Sequence, residues 1–169
     1  MEIIIDGHNL LFFASRNNDR FAVERGEPAR MALLDLLSRF QKIRGDRILC
    51  VFDGGKTGAH LPRHTFGGGL QISYSPIDSD ADTEIKSLVS HHVDPRTVRV
   101  VTSDNAIKVF VAQFGAEVVS SRDFLTEIEE ALTHDALPPD EPVEKYEGPD
   151  DLEKDYWLGV FGDIDEDDL

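Results

Sequence analysis

Glu2-Ile3-Ile4-Ile5-Asp6-Gly7-His8-Asn9-Leu10 is the stretch on which the fold turns. Ile3 to Ile5 form a continuous β-branched run, the pattern of a strand covered on both faces, and the run stops at Asp6-Gly7, a turn signal. A carboxylate is thereby expected at the tip of a core strand. Parallel strands of an open α/β sheet present their carboxyl ends along one edge. If other strands also end in acids, those acids meet Asp6 in space.

The rest of the chain repeats the pattern. Pro28 stands at a first helical position, followed by Ala29 to Ile43 with Leu33, Leu34, Leu37 and Phe40 at helical spacing; Gly45 ends the helix. Arg47 to Phe52 is a second buried strand, running into Asp53-Gly54-Gly55. Lys56 to Gly69 is rich in glycine, histidine and cations without apolar periodicity, and reads as a loop. Leu70 to Tyr74 alternates as a third strand at the sheet's edge and leads into Asp78-Ser79-Asp80-Ala81-Asp82-Thr83-Glu84 and a helix from near Ser79 to His91-His92. Thr97 to Thr102 is a fourth strand, ending in Ser103-Asp104, and Ile107 to Phe114 a helix stopped by Gly115. Glu117 to Val119 is a short fifth strand, and Ser120-Ser121-Arg122-Asp123 opens a helix to about Leu132 as a capping box. Alternating strands and helices predict an α/β fold with a mostly parallel, five-stranded sheet.

Charge divides the 169 residues into a body and a tail. The whole carries a net −16, but residues 1–134 account for only −4 and residues 135–169 for −12. The expected organisation is one domain over 1–133 and an acidic, Pro-containing, flexible tail over 134–169, with a short apolar segment at 156–161. A single cysteine, Cys50, excludes an intramolecular disulfide. Without a membrane-length apolar run or a signal-peptide pattern, the expected location is cytoplasmic, with no membrane partner.

Asp6, Asp53 and Asp104 follow buried strands, and Asp82 falls in a helix first turn on the same side of the sheet. Carboxylates crowded together repel and take up protons unless a cation neutralises them, and an all-oxygen pocket favours Mg²⁺ or Mn²⁺. Such an ion activates water and stabilises charge on a phosphodiester, so phosphate-ester hydrolysis is the chemistry inferred. The plainer explanation is capping for Asp82 and Asp104 and turn formation for Asp6 and Asp53. It does not account for all four together.

Other motifs fail on their residues. Asp78-x-Asp80-x-Asp82 lacks the glycine and glutamate of a calcium loop, having Thr83 and Val89 instead. Gly55-Lys56-Thr57 lacks the earlier glycine of a phosphate-binding loop, where Cys50 stands. His60 and His64 are interrupted by Pro62, and His91-His92 read as a helix end. Ser103 lacks a nucleophile elbow; a cap or a hydrogen bond to an acid is expected of it.

Ile4-Ile5-Asp6-Gly7-His8-Asn9-Leu10, Val51-Phe52-Asp53-Gly54, Ala81-Asp82-x-x-Ile85 and Val101-Thr102-Ser103-Asp104 come in order, followed by Gly115-Ala116 and Ser120-Ser121-Arg122-Asp123-Phe124. Together they resemble the NYN domain, in its YacP-like bacterial subgroup within the PIN-like nuclease superfamily. The resemblance spans about residues 1–133; the tail has no matched counterpart. It implies a three-layer α/β/α sandwich with strand order 3-2-1-4-5, and divalent-metal endoribonuclease activity. Asp6, Asp53, Asp82 and Asp104 take the family's acidic positions, with Asn9 and Ser103 as polar companions. Asp6, Asp82 and Asp104 would hold one or two Mg²⁺ or Mn²⁺ ions, with Asp53 as a further ligand or as support to one. The implied partner is single-stranded RNA in the context of translation, with the ribosome as the associated assembly. Arg16, Arg20, Lys56, Arg63 and Lys108 are the candidate RNA-backbone contacts. The competing readings are an RNA- or ribosome-binding adaptor with a degenerate site, and a phosphatase for small esters. An aspartyl-phosphatase motif would need an acid where His8 stands.

Overall fold

The opening isoleucines serve two cores in the computed structural model, which describes residues 1–17, 27–54, 64–67, 70–76 and 78–136. Ile3 and Ile5 of β1 (Glu2–Asp6) face one side of the sheet. They pack with Leu10 and Ala14 of α1 (Gly7–Asn17), Leu33, Leu37 and Phe40 of α2 (Glu27–Arg44), and Phe124 and Ile128 of α5 (Ser121–Ala136). Ile4 faces the other side, among Ala81, Ile85 and Val89 of α3 (Ala81–Ser90) and Ile107 and Val111 of α4 (Asn105–Ala112). Strand periodicity alone sends neighbouring side chains to opposite faces. Each large side chain buried this way contributes about 1.5–3 kcal/mol. The three-isoleucine run is therefore the middle layer of an α/β/α sandwich.

Among the described residues the sheet has six strands: β1, β2 (Arg47–Phe52), β3 (His64–Gly67), β4 (Leu70–Tyr74), β5 (Val98–Val101) and β6 (Glu117–Val119). Their order is β3-β4-β2-β1-β5-β6. The five parallel strands run in the expected 3-2-1-4-5 order, and β1 is central, pairing with β2 on one side and β5 on the other. The sixth strand corrects the sequence reading. Residues 64–67, expected within a loop, pair antiparallel to β4, so β4 is flanked on both sides and is not the edge. The Gly68-Gly69 dipeptide between β3 and β4 is itself hairpin chemistry, and was the signal available.

A second correction concerns Asp6-Gly7, expected as a turn. The chain passes from β1 straight into α1 without a loop. Neither Gly7 nor Gly54 has the positive φ that a glycine turn would use. Both are instead sites of close approach: a Cβ on Gly7 would lie 2.6 Å from the Phe52 ring, and one on Gly54 2.1 Å from the Ser75 carbonyl oxygen. The helix-ending glycines behave as expected, Gly45 at φ 72° and Gly115 at φ 82°.

Helix boundaries shift by a few residues. α3 starts at Ala81, because the Asp80 side chain accepts the Thr83 N–H at 2.7 Å and caps it there. Ser120 Oγ accepts the Asp123 N–H at 3.1 Å, opening α5 as the capping motif predicts, and the helix continues to Ala136. Among the described residues no helix is long and apolar enough to cross a membrane. The acidic tail from residue 137, including the segment at 156–161, lies outside the described residues.

Gly54→Ala should lower stability by about 1–3 kcal/mol, because the clash is with backbone and not with a side chain that can rotate away. Urea denaturation of the variant checks this; an unchanged midpoint would mean that the Ser75 carbonyl is free to retreat.

Candidate active site at the carboxyl edge of the sheet

The parallel register brings the strand-terminal acids together. Asp6 ends β1, Asp53 follows β2 directly, Asp104 caps α4 after β5, and Asp82 occupies the first turn of α3. All four line one cleft of about 380 Å³, together with His8, Asn9, Asp80 and Ala81. Asp6 is the most enclosed, at 6% exposure. Its Oδ1 accepts the Asn9 N–H at 3.1 Å and its Oδ2 the Thr102 hydroxyl at 3.1 Å. Because Ile5 is level with Val101, Thr102 is the next residue beside Asp6 across the ladder. Thr102 is itself wholly buried, and its Oγ accepts the Asp104 N–H at 3.1 Å, so one hydroxyl ties the Asp6 carboxylate to the Asp104 backbone.

Each remaining acid but Asp82 has a local anchor. Asp104 Oδ1 accepts the N–H groups of Ala106 and Ile107 at 2.7 and 3.1 Å. Asp53 Oδ1 accepts the hydroxyl of Ser75 at 3.2 Å, and the same Ser75 Oγ accepts the Gly54 N–H. The capping role considered for Asp104 is thus real, and it is a role Asp6 shares through Asn9. Asp82 does not cap: Asp80 does.

Electrostatics mark the cleft as crowded. Burial, opposed by the bonds from Asn9 and Thr102, holds the Asp6 carboxyl above the ordinary carboxylate range, and the charge of Asp104 adds to this. Asp82 is raised too, first by burial and then by the charges of Asp104, Asp6 and Asp80. Behind Asp6, burial pushes the Cys50 thiol well up, which leaves it inert.

The donor set consists of carboxylate oxygens, which fits a hard divalent cation. Its geometry is open: among the described residues no three His, Cys, Asp or Glu side chains stand as a ready-made ligand group. Convergence on one cleft is present, and closure around one ion is not.

Asn9 and Ser103 bind the rim. Asn9 Oδ1 accepts the Ser103 N–H at 3.0 Å and the Ser121 hydroxyl at 2.6 Å, joining the starts of α1, α4 and α5. Ser103 Oγ accepts the Ser121 N–H at 3.2 Å, a bond to backbone where a cap or a bond to an acid was expected. Of the candidate RNA contacts, Arg16 is exposed at the end of α1 and Lys108 half-buried one turn into α4. Arg20, Lys56 and Arg63 lie outside the described residues.

Sequence reasoning missed His8, Asp80, Thr102, Ser75 and Ser121. His8 Nδ1 accepts the Asp53 N–H at 3.2 Å, and its ring meets the Phe52 edge at 5.4 Å. Thr102 and Ser75 each stand directly after a strand, the same position that singled out the acids.

The fold is an α/β/α sandwich with acids gathered at the carboxyl edge of its sheet, and the sequence comparison gives the family. A model of the YacP-like NYN domain matches residues 3–147, and the chain belongs to that family, whose function is nuclease-type and RNA-related. The match extends beyond the 1–133 domain expected from the residues. Among solved structures, Rae1 (YacP) from Bacillus subtilis is similar in fold. A point mutant of that protein gives a TM-score of 0.62 at 23% identity, covering 79% of this chain and 77% of that one. A second structure, without the mutation, gives 0.60 at 22%, covering 79% and 76%. No curated protein sequence matches the chain.

Asp6→Asn should stabilise the protein when divalent cations are chelated. A carboxyl whose folded pKa lies above its unfolded value near 3.8 is favourable below that value, and the contribution is lost as pH rises through the folded pKa. The amide removes that loss and retains the bond from Asn9, while its NH2 replaces the bond from Thr102 by donating to the Thr102 oxygen. Thermal melts in EDTA should show the variant above wild type at pH 7, with the difference closing toward pH 4 and below. A variant melting below wild type at pH 7 would contradict the assignment of Asp6 as a strained carboxylate.

Proposed function

We propose that the chain is a divalent-metal-dependent endoribonuclease that hydrolyses RNA phosphodiester bonds. One observation carries this reading: Asp6, Asp53, Asp82 and Asp104, from four separate elements, line a single cleft in a chain of a nuclease-type family. Asp6, Asp82 and Asp104 would hold Mg²⁺ or Mn²⁺. When bound, the ion supplies activation of water and neutralisation of charge on the phosphate.

The chain's own residues supply the frame. Asp6 is the central ligand, fixed by Asn9 and Thr102. Asp53, tied to Ser75, stands across the cleft as a further ligand or as a hydrogen-bond partner to one. Asn9 holds the loop before α4 against the start of α5, which keeps Asp104 at the cleft. In-line attack by water leaves a 5′-phosphate and a 3′-hydroxyl. The 2′-OH takes no part, so preference for RNA over DNA arises from binding. Single-stranded RNA, met in the cytoplasm in the context of translation, is the substrate that the family resemblance suggests.

The openness of the acidic group favours a second reading, an RNA- or ribosome-binding adaptor whose site no longer turns over. Cleavage of a single-stranded RNA with and without Mn²⁺ separates the two. The nuclease reading expects Mn²⁺-dependent products with 5′-phosphate ends, reduced roughly 100-fold or more in Asp6→Asn or Asp82→Asn, the size of loss seen when one electrostatic stabiliser is removed. RNA bound without metal-dependent products would select the adaptor.

A further inference from the structure

The first helix carries a ridge that begins at the acidic cleft and extends beyond its lining. α1 begins directly after Asp6, so His8, Phe12 and Arg16 follow one another at four-residue spacing on one face, about 6 Å apart along the axis. All three are exposed, while Leu10 and Ala14 on the opposite face are buried in the core. We propose that this ridge seats a single RNA strand entering the cleft, with Phe12 as the stacking platform for a base.

Each residue supplies one element of single-strand recognition. His8 lines the cleft, and its Nδ1 accepts the Asp53 N–H at 3.2 Å. An Nδ1 that accepts leaves the ring proton on Nε2, which makes His8 a hydrogen-bond donor where the strand meets the acids. Phe12 is 52% exposed, a large ring left in water one turn away. The Phe13 ring meets it at 5.7 Å, nearly perpendicular, which sets its plane. Arg16 comes next, its guanidinium carbon over the Phe12 ring at 4.7 Å from the centroid, so the cation backs one face of the ring and the other is the face offered to a base. A donor, a π-face and a cation in a line are what sequence-tolerant single-strand binding uses: bases stack on aromatic rings and phosphates meet cations.

A duplex keeps its bases stacked inside and would leave the ring without a partner. A protein partner is the poorer fit, because one ring between a histidine and an arginine is not the contiguous apolar patch that such partners take. Within the helix, the Arg16–Phe12 contact is worth only an exposed cation–π pair. That local role would not depend on RNA.

This inference rests on the proposed RNA substrate, and its test separates the two. Anisotropy of a labelled single-stranded RNA oligonucleotide with the full chain in EDTA measures binding without cleavage. Phe12→Ala should weaken binding roughly 5- to 150-fold, the range of base–aromatic stacking, and Phe12→Trp should restore it. Arg16→Ala should lower the slope of log affinity against log salt by about 0.7, the loss of one phosphate contact on a single strand. Affinity unchanged in Phe12→Ala overturns the track, as does equal loss in Phe12→Ala and Phe12→Trp. If wild type still cleaves in Mn²⁺ in those cases, the nuclease reading stands without the track. Phe12-dependent binding with no cleavage overturns the nuclease reading and leaves the track.

Discussion

A charged group on the central strand of a parallel sheet is surrounded by core on both faces, so Asp6 must be satisfied locally or be expelled. It is satisfied by one backbone donor from the helix that follows it and one hydroxyl from the end of the neighbouring strand. Those two bonds fix much else. The Asn9 N–H requires α1 to start without a loop, and the Thr102 hydroxyl requires β5 to lie beside β1 in the observed register. Thr102 then orients the Asp104 backbone, and Asn9 orients the loops before α4 and α5. The cleft therefore follows from the packing of the central strand and is not an addition to a finished fold.

The arrangement carries an electrostatic burden. Asp6 and Asp82 are both held above the usual carboxylate range, first by burial, and the charge of Asp104 adds to both. A structure selected only for stability would place amides or hydroxyls there. Strain of this kind gathered in a cleft is a mark of function. The proposed relief is a hard divalent cation, which carboxylate oxygens suit, in a chain of the YacP-like NYN family.

The parallel sheet was legible because it depends on patterns that survive in one dimension: β-branched runs, helical spacing and the position of acids after strands. The strand order was implied by the family resemblance alone. Ile3-Ile4-Ile5 announced a two-faced core, and both faces are there. What escaped depends on contacts between distant residues. Gly7 and Gly54 read as turn residues, yet their lack of a side chain is required by the Phe52 ring and the Ser75 carbonyl. α1 was hidden because its capping acid is also a strand residue, and the usual break between strand and helix is missing. His8, Thr102 and Ser75 gained importance only once the register set them against Asp53, Asp6 and Asp104 in the fold. β3 was concealed by its glycine-rich surroundings, although Gly68-Gly69 hinted at a hairpin.

The central claim is that the acidic cleft binds a divalent cation through Asp6 and its neighbours. Calorimetric titration of Mn²⁺ into the protein in the absence of RNA tests it without any assumption about catalysis. The account predicts saturable binding that weakens about 10-fold or more in both Asp6→Asn and Asp82→Asn, at least the effect of disturbing a ligand's supporting partner. Mn²⁺ binding of equal strength in wild type and both variants would contradict it.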